Sequence, residues 1–325
     1  MAHHLSLFND TAEMAYVGAK PWHGLGQEVT PGASLEQWMT EAHLDWQYNE
    51  ATVQFTDDIG NKHSFNDHKV LFRSDNSKPL SVVSNRYQVV QPREIIEFFR
   101  SLIEREGFTM ETMGALKEGR RIWALARTNI ENDVIGSDRL KAYLMLITSC
   151  DGSLATTAKF TSVRVVCWNT QHIALHSESE DGRAVRVRHN TVFNPELVKN
   201  QMGLIGAKAF DHFLGNMRAL TKVKMTKHDA ENFIAGILPA NPEGLAKTKE
   251  SRAFRKIMEL FNGAGRGSTM QGVEGTAWGL LNAVTEYTDH YVRARSNENR
   301  FDSAMFGSGS LLKTNAEEKL LELVD

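Results

Sequence analysis

Arginine and tryptophan recur together, at alternating positions, in separate stretches of this 325-residue chain. In an extended strand every second side chain shares a face. Arg121, Trp123, Leu125 and Arg127 therefore fall on one side of a strand whose other side is Ile122, Ala124 and Ala126. Likewise Arg164, Val166 and Trp168 oppose Val163, Val165 and Cys167, and Arg186 and Arg188 oppose Val185 and Val187. A sheet face that mixes guanidinium groups with flat rings has the chemistry of a platform for single-stranded nucleic acid. Arginine meets phosphate bidentately, and bases stack on aromatic side chains for about 1–3 kcal/mol each. Lys222 and Lys224 would extend that cationic surface. The ordinary alternative is an arginine on the wet face of a half-buried sheet, with the tryptophan covered by a helix. On any one strand this alternative is the stronger; repetition on three strands narrows the gap.

Other residue groups could carry acid–base, thiol, metal or phosphate chemistry. Trp22, His23 and Gly24 begin a compact loop that closes with Leu25 and Gly26. Its glycines permit close backbone approach, and His23 could serve as acid, base or ligand; a packed structural plug is the favoured reading. Cys167, near Asn169, His172 and His176, suggests a nucleophile, which needs a base and an orienting group. Alternation puts Cys167 on the presumed core side, opposite Arg164, which favours an inert buried thiol. Glu286 and His290, four apart on one helix face, could share a divalent metal but lack the HExxH arrangement; no other cofactor is expected. Gly263 to Ser268 could wrap a phosphate, yet the segment follows no expected strand and lacks the P-loop ending. A connector is the expectation.

Composition bounds these readings. Hydrophobic residues make up 41% and charged residues 24%, enough for a substantial core. No apolar run approaches membrane length, and the first residues lack the basic start and apolar stretch of a signal peptide. A cytoplasmic location, with no membrane partner, is expected. Two cysteines without CxxC spacing give neither a disulfide framework nor a cysteine zinc site. The net charge of −3 conceals an asymmetry. Residues 1–60 hold nine acids against Lys20, whereas residues 182–228 hold nine bases against Glu196 and Asp211. Such a division suits an anionic ligand or head-to-tail assembly, or is chance variation between solvated faces.

The elements that must position these residues are legible in outline. Ser34 starts a short helix over 34–43. Residues 51–56 form a strand, and residues 69–73 and 80–84 a hairpin across Ser74 to Lys78. A helix begins at Pro92 and ends at Gly107. Further strands are expected over 121–127, 143–149, 155–160, 163–168 and 184–189, with a tight turn at Asp151-Gly152. Helices follow near 195–216, 227–237, 249–262, 273–294 and 314–323. A glycine-rich connector spans 263–272 and a long loop 297–310. The expected class is α+β: an antiparallel β-rich N-terminal two-thirds with packed helices, then a mostly helical C-terminal third. The expected domains are 1–193 and 194–325.

Several motifs carry a family resemblance: Met1-Ala2-His3 with Ala15-Tyr16, Pro21 to Gly26, Ser84-Asn85-Arg86-Tyr87 with Val89-Val90, and Gly119-Arg120-Arg121. Thr148 with Asp151-Gly152, Arg164 to Cys167 with Asn169-Thr170, Arg188-His189, and Gly275 to Trp278 with Asn282-Ala283 and Tyr287 continue it. Over nearly the whole chain these resemble the phage- and plasmid-related proteins grouped as domain of unknown function 932. The resemblance implies a mobile-element setting and no established activity. It marks Trp22, His23, Gly24, Arg86, Tyr87, Cys167, Asn169, His189 and Asn282 as motif residues of unassigned role. In plan the chain is also similar to phage single-strand annealing recombinases of the Red-beta type, which assemble into rings or filaments; no signature motif is shared. The leading expectation is therefore a non-enzymatic, homo-oligomeric protein that binds and anneals single-stranded DNA. The alternatives are a counter-defence or assembly factor with a phage or host protein partner, and a metal-dependent nuclease or hydrolase using His23, His189, Glu286, Asp289 or His290.

Overall fold

The structure, a computed structural model, describes residues 7–8, 11–18, 26–164, 169–172, 184–239, 245–295 and 297–324. Its first elements are β1 (Leu7–Phe8), β2 (Thr11–Ala12), β3 (Met14–Val17), β4 (Gln27–Val29) and α1 (Leu35–Glu41). There follow β5 (Tyr48–Thr56), β6 (Lys62–Arg73), β7 (Pro79–Ser84), α2 (Pro92–Glu106), β8 (Thr109–Leu116) and β9 (Arg121–Asp133). The last strands are β10 (Arg139–Ser149), β11 (Thr156–Arg164), β12 (Asn169–His172) and β13 (Ala184–Val187). Beyond them come α3 (Pro195–Leu220), α4 (Lys227–Ile237), α5 (Leu245–Glu250), α6 (Arg252–Glu259) and α7 (Ala277–Glu286), then α8 (Asn297–Phe306) and α9 (Ser308–Leu321). Strands dominate to residue 187 and helices thereafter, so the α+β expectation holds.

Local chemistry explains most boundaries. Ser34 caps α1 by accepting the N–H of Gln37, whose side chain bonds back to Ser34; Thr226 and Asp229 make the same reciprocal box at α4. Pro92 occupies the first turn of α2, and Gly107 ends it in the left-handed region at φ 69°. Ser251 caps α6, which divides the helix expected over 249–262 in two. Thr276 caps α7, so that helix starts after 273, and a π-type turn over Tyr287–Tyr291 continues it. The expected loop at 297–310 is instead α8 and α9, with only Gly307 between them. Its serines, asparagines and glycines imitate a loop, but Ala304, Met305 and Ser310 are buried in the packing of these two helices. Sequence alternation misses β8, and the separate strands expected at 155–160 and 163–168 are one strand, β11, as far as Arg164.

The main sheet has the order β12-β11-β10-β9-β8-β3-β4, with β13 also on β11. β3–β8, β8–β9, β11–β12 and β11–β13 pair antiparallel, whereas β3–β4 is parallel. β5, β6 and β7 form a second sheet in that order, which contains the expected hairpin. The chain forms two compact units whose segments alternate along the sequence: residues 1–128, 144–159 and 184–203, and residues 129–143, 160–183 and 204–325. This division differs from a single boundary after residue 193. No helix among the described residues is long and apolar enough to cross a membrane.

Each unit has a charged anchor inside its core. In the first, buried Arg73 donates to both carboxylate oxygens of buried Glu13, at 2.9 and 2.5 Å. It also donates to Asp75 and lies 4.1 Å from the centre of the Trp46 ring. In the second, Arg164 on β11 is paired with Asp138 at 2.6 and 2.9 Å, and both are fully buried. The Trp278 indole N–H donates to the same carboxylate at 2.8 Å. Arg164 also reaches the carbonyls of Arg266 and Gly267, which fixes the glycine-rich connector against β11.

Candidate nucleic-acid interface

In the first unit, four sequence-distant motifs meet around the turn between β10 and β11. Gly152 supplies the left-handed conformation of that turn at φ 74°. Asp151 accepts the N–H of Ser153 at 3.0 Å. Ser149 donates to the Leu154 carbonyl and accepts its N–H. The Tyr87 hydroxyl donates to the Ser149 carbonyl at 2.8 Å. Its ring stacks on His189, with centres 4.5 Å apart and planes 17° off parallel. His189 lies 3.0 Å from two carbonyl oxygens, Nδ1 from that of Gln88 and Nε2 from that of Leu154. A neutral ring donates to one of these and a doubly protonated ring to both. The Gln88 N–H donates back to the His189 carbonyl at 2.5 Å. Gly119-Arg120-Arg121 joins from β9: Arg120 accepts the N–H of Cys150 on its carbonyl and donates its Nε to Leu80. Arg121 approaches the Ser153 hydroxyl at 3.5 Å.

The result is a densely hydrogen-bonded turn with cations at its margin. Arg86, Arg186 and Arg188 are exposed, and none forms an ion pair with a carboxylate among the described residues. Arg186 sits opposite Thr157 on the outer strand β13, and Arg188 is next to His189. Burial works against ionisation of Asp151, yet the hydroxyl and N–H of Ser153 outweigh it and hold this carboxyl below its usual range. Burial pushes the Tyr87 phenol up to about 12, so it stays a neutral donor. Burial likewise pushes the Cys150 thiol up to about 12, which makes it a poor nucleophile.

Two residues expected at the interface are corrected. Arg164 does not face solvent; its guanidinium is wholly engaged by Asp138 and connector carbonyls. Trp123 is buried, because the central stretch of β9 is covered on both faces from Ile122 to Ala126, and no base can stack on it. The ends of the same strand, Arg121 and Arg127, are half-buried. Lys222 and Lys224 are exposed in the second unit. Trp168, Cys167, Trp22, His23 and Gly24 lie outside the described residues. Asn169 pairs across from Arg164 in the β11–β12 register, and Asn282 is buried on α7 with its amide donating to the Trp278 carbonyl at 2.8 Å. Sequence reasoning overlooked Gln88, which bonds twice to His189; no periodic or motif signal marks it.

The candidate metal pair has another environment. Glu286 is 2% exposed, and one carboxylate oxygen accepts the N–H of Arg266 at 2.9 Å. Among the described residues no group of three or more His, Cys, Asp or Glu side chains is placed to hold a metal. Burial raises the Glu286 carboxyl above its ordinary range, opposed by the Arg266 N–H. The folded state therefore holds this proton more tightly than the unfolded chain does. The resulting stabilisation is full below the unfolded value and is lost as pH rises through the folded one. Glu286→Gln is expected to remove that decline, giving a midpoint of thermal unfolding that falls less than in the wild type between about pH 4 and pH 7. Parallel profiles for the two proteins would contradict this assignment.

A family model described as "Domain of unknown function (DUF932)" matches residues 79–305, well over half of the chain. It takes in the Arg86-Tyr87, Arg120-Arg121, Asp151-Gly152 and Arg188-His189 segments that meet at the turn. No curated protein and no solved structure matches the chain.

Proposed function

Since this chain belongs to the domain of unknown function 932 family, whose description assigns no activity, we propose its function from the site itself: it binds single-stranded DNA along the β10–β11 turn, as part of annealing or recombination on a mobile element. The observation that carries this reading is the convergence of four motifs on one turn that leaves Arg86, Arg186 and Arg188 exposed and without carboxylate partners among the described residues. These guanidiniums hold consecutive phosphates, with Arg121 at the near edge and Arg127 further along β9. Tyr87, half-buried and stacked on His189, contacts a base with the part of its side chain left in solvent. It takes the role that the sequence pattern gave to Trp123. Tyr87, His189 and Gln88 act by holding the turn rigid, which lowers the ordering cost of binding.

The test is fluorescence anisotropy of labelled single-stranded and duplex oligonucleotides with the purified full chain across a salt series. Affinity for the single strand should exceed that for the duplex and fall steeply as salt rises, because each phosphate contact releases counterions. No binding at low salt by a well-folded protein would reject the proposal.

A further inference from the structure

Three large apolar side chains are exposed together on one hairpin of the first unit. Phe55 is 54%, Ile59 84% and Phe65 44% exposed, and all three lie on β5, on β6 or in the turn between them. The register sets Phe55 beside His63 and Val53 beside Phe65, so these four side chains share a face. The Phe55 and His63 rings stack at 5.1 Å, and those of Phe65 and His68 at 5.2 Å. β5 is also an edge strand of its sheet, and exposed edges with apolar side chains are surfaces that pair with other chains. The hairpin is not shaped for nucleic acid, since Glu50, Asp57, Asp58 and Asp67 outnumber Lys62, Lys69 and Arg73 along it. Asp57 is already occupied by Asn61 and His63; Asp58 is exposed at the tip with no cation paired to it among the described residues.

The second unit carries a surface of the opposite shape. An open groove of about 810 Å³ is lined by Leu238, Ala253, Val292, Leu311 and Leu312, with Arg293 among its polar residues. Leu311 is 51% exposed. Arg293 is exposed and forms no ion pair with a described carboxylate. Glu318 lies in the same lining and sets a limit on how much acid the occupant can bring.

We infer that the β5–β6 hairpin is an assembly arm that seats in this groove on a second copy of the chain. Ile59 and Phe55 cover the apolar lining, and Asp58 meets Arg293. Arm and groove are different surfaces, so the contact is heterologous and repeats head to tail, giving a ring or an open filament. The inference does not rest on DNA binding, and its test contains no DNA.

Sedimentation velocity of the full chain is measured over a concentration series for the wild type, Ile59→Asp, Leu311→Asp and an equimolar mixture of the two variants. Both positions are exposed, and circular dichroism checks that the fold is kept. The wild type should grow beyond a dimer as concentration rises, and each variant alone should stay monomeric. The mixture should form dimers and stop there, because one intact arm and one intact groove remain per pair. A wild type that stays monomeric, variants that assemble as the wild type does, or a mixture that stays monomeric overturns the proposal. Asp58→Arg should weaken assembly, and adding Arg293→Asp in the same chain should restore it; failure of the swap to restore removes the ion pair from the account.

Discussion

Asp138→Ala is expected to lower the unfolding free energy by about 3–5 kcal/mol, the largest stability loss foreseen for one side chain here. Asp138 accepts two hydrogen bonds from Arg164 and one from the Trp278 indole, all in a fully buried setting. Without it, the guanidinium is left in the core among the carbonyls of Arg266 and Gly267 and has lost the carboxylate that accepts two of its hydrogen bonds. The loss should not be read as the strength of the pair, because most of it is the penalty on the stranded partner. The double variant Asp138→Leu with Arg164→Met should therefore recover most of the stability. Urea unfolding of the three proteins checks this. A loss below about 1 kcal/mol for the single variant would show that Arg164 finds water or an anion on its own, and would return it to the list of phosphate ligands.

The largest functional effect should follow from Arg86→Ala, Arg186→Ala and Arg188→Ala made together. Each phosphate contact to a single strand contributes about 0.7 to the slope of log affinity against log salt. Losing three contacts should shallow the slope by about 2. Between 50 and 200 mM salt, the wild type should then lose about 20-fold more affinity than the variant. Stability should be unchanged, since these side chains are exposed and carry no ion pair among the described residues. Anisotropy titrations at several salt concentrations read both quantities, and equal slopes would mean that the phosphates are held elsewhere.

The parts of the fold that local chemistry dictates were legible from sequence. Pro92 and Gly107 bracket α2, Ser34 and Thr226 mark helix starts, and Ser74 to Lys78 turns β6 into β7, because capping and turn residues act on their own neighbours. What alternation reports is which side chains share a face, not what covers that face. Arg164 and Trp123 share their faces with other residues as expected, yet both are buried. Asp138 and Trp278, which enclose Arg164, are 26 and 114 residues away from it, beyond any local pattern. The gathering of Tyr87, Gln88, Asp151 and His189 is equally non-local. Their motifs were visible one by one, and only strand order brings them together. α8 and α9 were missed for a different reason: their composition is that of a loop, and tertiary packing of Ala304, Met305 and Ser310 outweighs propensity.

Photocrosslinking tests most directly whether single-stranded DNA binds at the β10–β11 turn. An oligonucleotide of 4-thiothymidine, irradiated in complex with the full chain and mapped by mass spectrometry, should mark Tyr87 and peptides containing Arg86, Arg121 and Arg188. Loss of those adducts at high salt should parallel the loss of affinity. Crosslinks confined to the helices of the second unit, or an even scatter over the surface, would contradict a binding site at the β10–β11 turn.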